Sequence, residues 1–315
     1  MVRDIQTRSY APVALFVYNR PDHTRQTVEA LAANTLAAET PLHVFSDAPK
    51  SDNARQSVDE VRSYIRTISG FKSVTIVERD KNFGLARSII DGVTSLCDAY
   101  GRVIVLEDDL VTSPYFLAYM NDGLDSYAGE ERVQSVCGYM YPVELAPDTS
   151  SFFLRVPSSW GWATWLDRWR IFNSNGRTLL EEIQTRGLAR AFNANGPHSN
   201  IKMLRDQVSG RNDSWFIRWH AVGFLRNMVT LYPTRSLVSN IGIDGSGVHC
   251  AEWKINPYRG ELAHEPIPIE QIPPVEHAAH LDRLNRYYVR IKVARYLNYF
   301  RRTLLLFKSK SKSVA

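Results

Sequence analysis

Arg102-Val103-Ile104-Val105-Leu106-Glu107-Asp108-Asp109 decides the fold class. Four consecutive apolar residues make a strand with no polar face, and such a strand belongs in the middle of a sheet covered on both sides. Three acids then emerge together at its carboxyl end. Toward the N-terminus similar runs recur at Val13–Tyr18, His43–Asp47 and Ser73–Arg79. Between them lie Asp22–Asn34, a patterned stretch from Asp52 to Ile68, and Leu85–Tyr100, each long enough for the crossover helix that parallel strands require. This alternation predicts an α/β fold with a Rossmann-like half.

Ligands of open α/β sheets bind outside the carboxyl ends of the strands. The residues there are Asn19-Arg20-Pro21-Asp22, Asp47, Arg79-Asp80-Lys81-Asn82 and Glu107-Asp108-Asp109. Adjacent carboxylates repel each other and are costly to gather without a cation. A hard divalent ion, Mg2+ or Mn2+, with substrate phosphates completing its shell, makes such a cluster favourable and neutralises a departing diphosphate. An acid triplet by itself is also compatible with a polar loop that caps the next helix.

From Tyr115 the pattern changes. A helix is expected over Tyr115–Tyr127, short strands over Val133–Met140 and Phe152–Val156, helical stretches around Leu179–Phe192 and Trp215–Asn227, and a strand near Thr230–Tyr232. Residues 254–279 hold five of the fifteen prolines and read as an extended connector. The chain thus divides into a main domain over 1–253, in two halves (10–112 and 113–253), then the connector (254–279) and a basic amphipathic tail (280–315).

Composition narrows the function. With 44% apolar and 23% charged residues the chain is not a disordered one, and 17 Gly and 15 Pro without a period exclude a collagen-like protein. No run approaches the roughly 18 apolar residues of a membrane span. Ala11–Tyr18 reads as a buried strand, not a signal peptide, and Cys97, Cys137 and Cys250 fit neither a disulfide framework nor a zinc ribbon, so a cytoplasmic setting is expected. The net charge of +5 is unevenly spread: from Leu281 to Ala315 ten Lys or Arg face Asp282 alone, a net of +9, leaving −4 for the remainder. Basicity confined to a tail argues against a nucleic-acid binder. The tail interleaves its basic residues with apolar ones at steps of mostly three, which suggests two shorter amphipathic helices at the anionic inner face of a membrane, or else a solvated helical tail or a packing surface for a partner subunit.

An acidic triplet after a Rossmann-like half resembles the DxD motif of GT-A glycosyltransferases. The spelling Glu107-Asp108-Asp109 resembles the N-acetylglucosaminyltransferase I type, inverting enzymes that use a nucleotide sugar and Mn2+. Other stretches agree in order: Asn19-Arg20 with the nucleotide-contacting turn, Asp47 with the acid that reads the uracil, Ser158-Ser159-Trp160-Gly161-Trp162 with the segment lining donor sugar and acceptor, Asn212-Asp213-Ser214-Trp215 with the stretch carrying the catalytic base, and Ile241–His249, with Gly242, Gly245 and Gly247, with the closing glycine-rich loop.

The resemblance implies a hexosyl- or N-acetylhexosaminyltransferase with a nucleotide-sugar donor, most simply a UDP-sugar, and a surface-glycan or lipid-linked acceptor of the lipopolysaccharide or capsule kind. Asp109 would hold the metal, Glu107 and Asp108 the ribose and sugar hydroxyls, and Asp213 would deprotonate the acceptor. Asp213 also suits the N-cap of the helix beginning near Trp215. Asn82 and Arg87, in the turn Lys81–Arg87, are candidate nucleotide contacts. Trp160, Gly161 and Trp162 are candidate sugar contacts, with Trp165 the tryptophan expected in the core. His249, beside Cys250, is a candidate further metal ligand. The rivals are a sugar-1-phosphate nucleotidyltransferase, which would normally carry a glycine-rich basic loop after its first strand, and a non-catalytic glycan-binding or membrane scaffold.

Overall fold

The structure, a computed structural model, describes residues 9–145, 150–244 and 256–294. Its first half is the alternation expected: β1 (Val13–Val17), α1 (Pro21–Ala32), β2 (Pro41–Ser46), α2 (Arg55–Ile65), β3 (Ser73–Glu78), α3 (Leu85–Tyr100) and β4 (Arg102–Glu107). The four strands are parallel and lie in the order β3-β2-β1-β4. Every residue of β1 and Val103–Leu106 of β4 are buried. Full burial of each such side chain is worth about 1.5–3 kcal/mol, which commits both strands to the centre.

After β4 come β5 (Leu110–Thr112), α4 (Phe116–Ser126), β6 (Val133–Cys137), β7 (Ser151–Leu154), β8 (Trp162–Trp165), α5 (Leu166–Trp169) and α6 (Gly176–Thr185). Then follow α7 (Ala189–Phe192), α8 (Asn200–Val208), α9 (Trp215–Leu225), β9 (Val229–Pro233) and β10 (Val238–Asn240). A helix over residues 278–294, α10, closes the described chain. The main sheet is eight-stranded and mixed, β3-β2-β1-β4-β8-β6-β9-β7, while β10 and β5 form a separate antiparallel pair.

The β4–β8 pairing positions the site. It is antiparallel, with Val105 opposite Trp162 and Arg102 opposite Trp165. Residues that precede Trp162 therefore lie at the same rim as residues that follow Val105. On one face of the sheet Leu15, Ile104 and Leu106 pack with Val28 and Leu31 of α1 and with α4. On the other, Phe16, Val103 and Val105 pack with Ile89 and Val93 of α3 and with Trp162, Trp169, Trp215 and Trp219.

One expected helix changes, and elements without a sequence signal are added. The Leu179–Phe192 helix is two helices, because Gly187 takes φ 66°. Its N–H donates to Gln184 O, and Leu188 N–H reaches back to Ile183 O, a pair of bonds that ends α6. The tryptophan-rich segment contains strand β8, and residues 200–208 are helical. The tail begins as one continuous helix whose Leu284 and Ile291 are buried; residues 295–315 lie outside the described residues. Between residues 256 and 277 there is no helix, and this stretch bridges the sheet at Glu276 with Phe153 and at Leu262 with Ser236. No described helix is long and apolar enough to cross a membrane.

Candidate active site

The acid triplet meets the turn after β1. Glu107 is the last residue of β4 and pairs across to Phe16, so Asp108 and Asp109 leave the sheet beside Tyr18-Asn19-Arg20. The guanidinium of Arg20 bridges both acids: Nη2 donates to Asp108 Oδ1, and Nη1 lies 3.0 Å from Asp109 Oδ2. Asp108 is fixed further by the Tyr18 N–H at 3.4 Å, while its carbonyl accepts from Thr27 Oγ1 of α1 at 2.9 Å. Pro21 at the start of α1 leaves Arg20 just outside the helix, where its side chain turns back toward β4.

The cation that makes the cluster tolerable in this structure is thus a protein group. It is not sufficient for three carboxyls. Glu107 is half-buried, and its carboxyl is pushed up, to about 8, by desolvation first and then by Asp109 and Asp108, with Arg20 acting the other way. Asp108 is raised too, by desolvation, against the opposing pull of Arg20. Burial would lower the Arg20 pKa, but the two aspartates hold it above the ordinary arginine value.

The start of the glycine-rich stretch lies over Asp109. Ile241 N–H donates to Asp109 O at 2.9 Å, and Gly242 N–H to Asn240 Oδ1 at 2.8 Å. A Cβ at Gly242 would fall 2.1 Å from Asp109 Oδ2 and 2.8 Å from Arg20 Nη1, so only glycine allows this approach. His23 of α1 pairs with Asp244 at 3.1 Å, tying the same segment to the first helix. His249 and Cys250 lie outside the described residues. Among the described residues, no three His, Cys, Asp or Glu side chains converge as a metal cage would. The donor set fits a hard ion held by one or two carboxylates plus substrate phosphates: three carboxyls face one guanidinium, an excess of two negative charges if all ionise.

Asp47 is engaged with the backbone. Its Oδ1 accepts from Ala48 N–H at 2.9 Å and Phe83 N–H at 2.8 Å, and its Oδ2 from Gly84 N–H at 2.8 Å, which pins the N-terminus of α3 to the end of β2. Asn82 Nδ2 donates to Ala48 O at 2.7 Å in the same turn. Arg87 is exposed and stacks on Phe83, 4.1 Å from the ring centre, with Arg79 on that ring at 4.5 Å. Asn19 is half-buried between Tyr18 and Arg20.

At the shared rim Trp160 is half-buried, edge-on to Tyr139 at 4.5 Å and to Tyr258 at 5.8 Å. Gly161 has φ 65°, and a Cβ there would meet Val238 at 2.7 Å. Trp162 is corrected from a sugar contact to a core residue. It is 1% exposed, stacked on Trp215 at 5.2 Å and close to Trp169 and Trp219. Strand alternation explains this: opposite Val105, it faces the layer under α3 and α9. Trp165 is buried as well, donating to Leu124 O at 3.0 Å.

The N-cap of α9 is Ser214, whose Oγ accepts from Ile217 N–H at 3.2 Å, not Asn212 or Asp213. Asn212 instead accepts from Ser214 N–H. The Asp213 side chain is 76% exposed and pairs with Arg218 at 3.1 Å. Trp215, two positions on, stacks on Trp162, so the segment carrying Asp213 packs against the sheet face to which strand alternation assigns Glu107. Tyr18, Thr27 and His23 were not singled out from the sequence. Tyr18 and Thr27 reach Asp108 across 90 and 81 positions, His23 reaches Asp244 from farther still, and no local pattern announces these contacts.

No family model matches the sequence, and no curated protein sequence does. Several solved structures are similar in part. Staphylococcus aureus TarS (residues 1–349) is 12% identical with a TM-score of 0.33, over 55% of this chain and 49% of that one, so the chain spans about half the length of that TarS fragment. The mannosyltransferase PcManGT from Pyrobaculum calidifontis, solved with GDP-Man and Mn2+, is 14% identical with a TM-score of 0.36, over 69% of this chain and 70% of that one. A UDP-glucose pyrophosphorylase complexed with UDP-glucose is 10% identical with a TM-score of 0.36, over 71% and 90%.

Proposed function

We propose that the chain is a glycosyltransferase of the GT-A kind that moves a sugar from a nucleotide sugar, most simply a UDP-sugar, to a glycan or lipid-linked acceptor. One observation carries the reading: at the carboxyl end of β4, next to Glu107, Asp108 and Asp109 both meet Arg20, and Gly242 lies over Asp109. That rim is where an open α/β sheet takes its nucleotide. The N-terminus of α1, with Arg20 before it, offers a positive end to a diphosphate.

Asp109 would hold a divalent ion, Mn2+ or Mg2+, which when bound neutralises the leaving diphosphate, and Glu107 and Asp108 would hold the ribose and the sugar hydroxyls. Arg20 and Asn19 would bind phosphate and nucleotide, Asp47 would shape the turn that receives the base, and Trp160 and Gly161 would line the sugar. Asp213, open to solvent, would take the acceptor proton as the hydroxyl attacks the anomeric carbon opposite the diphosphate, inverting its configuration. The decisive experiment is a panel of nucleotide sugars with Mn2+ present, followed by NMR of the product. Transfer with an inverted anomeric centre is expected; hydrolysis or transfer from none of them removes the reading.

The exposed face of α10 supports peripheral contact with the anionic cytoplasmic membrane face. Val289 and Val293 are 47% and 51% exposed, and Arg286 and Arg290 stand among them. Apolar side chains that insert and basic ones that meet headgroups are what such an interface needs. A lipopolysaccharide or capsule precursor would be presented at that surface. Flotation with anionic vesicles, lost in neutral ones, is the expected result.

A further inference from the structure

We infer that Arg20 is a resident counter-ion that a divalent cation and the nucleotide diphosphate displace together, so that metal and nucleotide bind with positive coupling through this one side chain. The inference rests on the transferase reading of the site, but it concerns the chain's own charge arrangement. Arg20 uses two nitrogens for two different acids, Nη2 for Asp108 and Nη1 for Asp109. The two anchors are unequal. Asp108 is held by the Tyr18 N–H and Thr27 as well, and its side chain is 6% exposed; Asp109 has the more open side chain at 12%. Arg20 itself is 20% exposed, so it can turn without unfolding its surroundings.

A cation that engages Asp109 meets a guanidinium already 3.0 Å from that carboxylate. Two like charges sharing one acid repel, and the repulsion is greatest in a half-dry site. Gly242 stands on one side of the pair, where an added Cβ would fall on both Asp109 Oδ2 and Arg20 Nη1, so little room is left for a retreat that way. Arg20 therefore keeps its bond to Asp108 and swings Nη1 off Asp109 into the rim. There a diphosphate offers it oxygens in the planar, two-point geometry that guanidinium prefers. Without the nucleotide the displaced Nη1 has no acceptor in place of Asp109, so the ion binds weakly; with it, both gain. Linkage makes the effect reciprocal.

The test is Mn2+ affinity by electron paramagnetic resonance of the free ion, with and without UDP, in the wild type and in Arg20→Gln. Removing the competing charge should tighten Mn2+ binding without nucleotide by about tenfold, a 1.4 kcal/mol change. UDP should then enhance the affinity of Arg20→Gln by a smaller factor than that of the wild type. Equal or weaker Mn2+ binding by a folded Arg20→Gln overturns the inference while leaving the metal site standing. A wild type that binds no Mn2+ with or without UDP removes the metal reading itself. Should Arg20→Gln fail to fold, the side-chain Nε–Hε resonance of Arg20 in the wild type decides: Mg2+ with UDP must shift it, and an unmoved signal overturns the exchange.

Discussion

Gly242 sits so close to Asp109 that a single added methyl group would overlap its carboxylate, the built Cβ falling 2.1 Å from Oδ2. Gly242→Ala must therefore move either the loop or the acid. Displacements of about 1 Å at a reacting centre cost about 100-fold in rate. Turnover should fall by about that much, while the thermal midpoint shifts by only a few degrees. Unchanged kcat/KM would place the loop outside the working site.

Asp109→Ala tests the acid directly. Arg20 retains Asp108, so the fold should survive with an unaltered circular dichroism spectrum. Loss of one group that stabilises developing charge costs about 100- to 1000-fold in kcat, and added Mn2+ should not restore it. Retained activity at normal rates would remove the metal role.

Trp160 and Trp162, two positions apart, should respond oppositely. Trp162→Ala empties a fully buried position in the tryptophan cluster and should cost about 3–5 kcal/mol in a urea titration. Trp160→Ala, at the rim, should cost much less stability and show its effect in substrate KM. A soft melt for Trp160→Ala with normal KM would make it a structural residue as well.

Acid should unfold the protein through two imidazoles, one buried (His220) and one half-buried (His198). Burial holds His220 down to about 3, and His198 to about 4, where Lys292 adds to the effect. Both folded values lie below the ordinary 6.5, so the neutral rings are favoured and their contribution is complete above pH 6.5. As pH falls from 6.5 toward 3–4 the unfolded chain takes up protons that the folded one refuses, at about 1.4 kcal/mol per pH unit for each group. His220 lies against Phe192 at 4.6 Å and near Phe224. His220→Phe should flatten the acid limb of stability against pH; an unaltered limb would show that His220 does not drive it.

The nucleotide half was legible because its signals are local. Val103–Leu106 announces a buried strand by composition alone, and Leu85–Tyr100 was bounded to the residue. The second half was harder. β8 is too short and too aromatic to show a strand period, and its place beside β4 comes from a pairing some sixty positions away. Trp162 and Trp160 look equivalent in sequence, yet strand alternation buries one and leaves the other at the rim. At the site the acids were visible and their partner was not identified as such: Arg20 reads as a nucleotide contact, and only geometry shows it bridging Asp108 and Asp109. Ser214 was passed over as a cap for the more acidic neighbour.

The bridge between Phe153 and Glu276, with the Glu276 side chain accepting from Arg155 N–H at 2.9 Å, gives the proline-rich stretch a task beyond tethering α10. β7 is one of the two edge strands of the main sheet, and its open backbone groups would otherwise invite a second molecule to add on, edge to edge. A fragment cut at residue 253 should therefore self-associate, visible as turbidity or a shift in light scattering, where the full chain stays dispersed. What reads as a spacer in the sequence is the selvedge of the sheet.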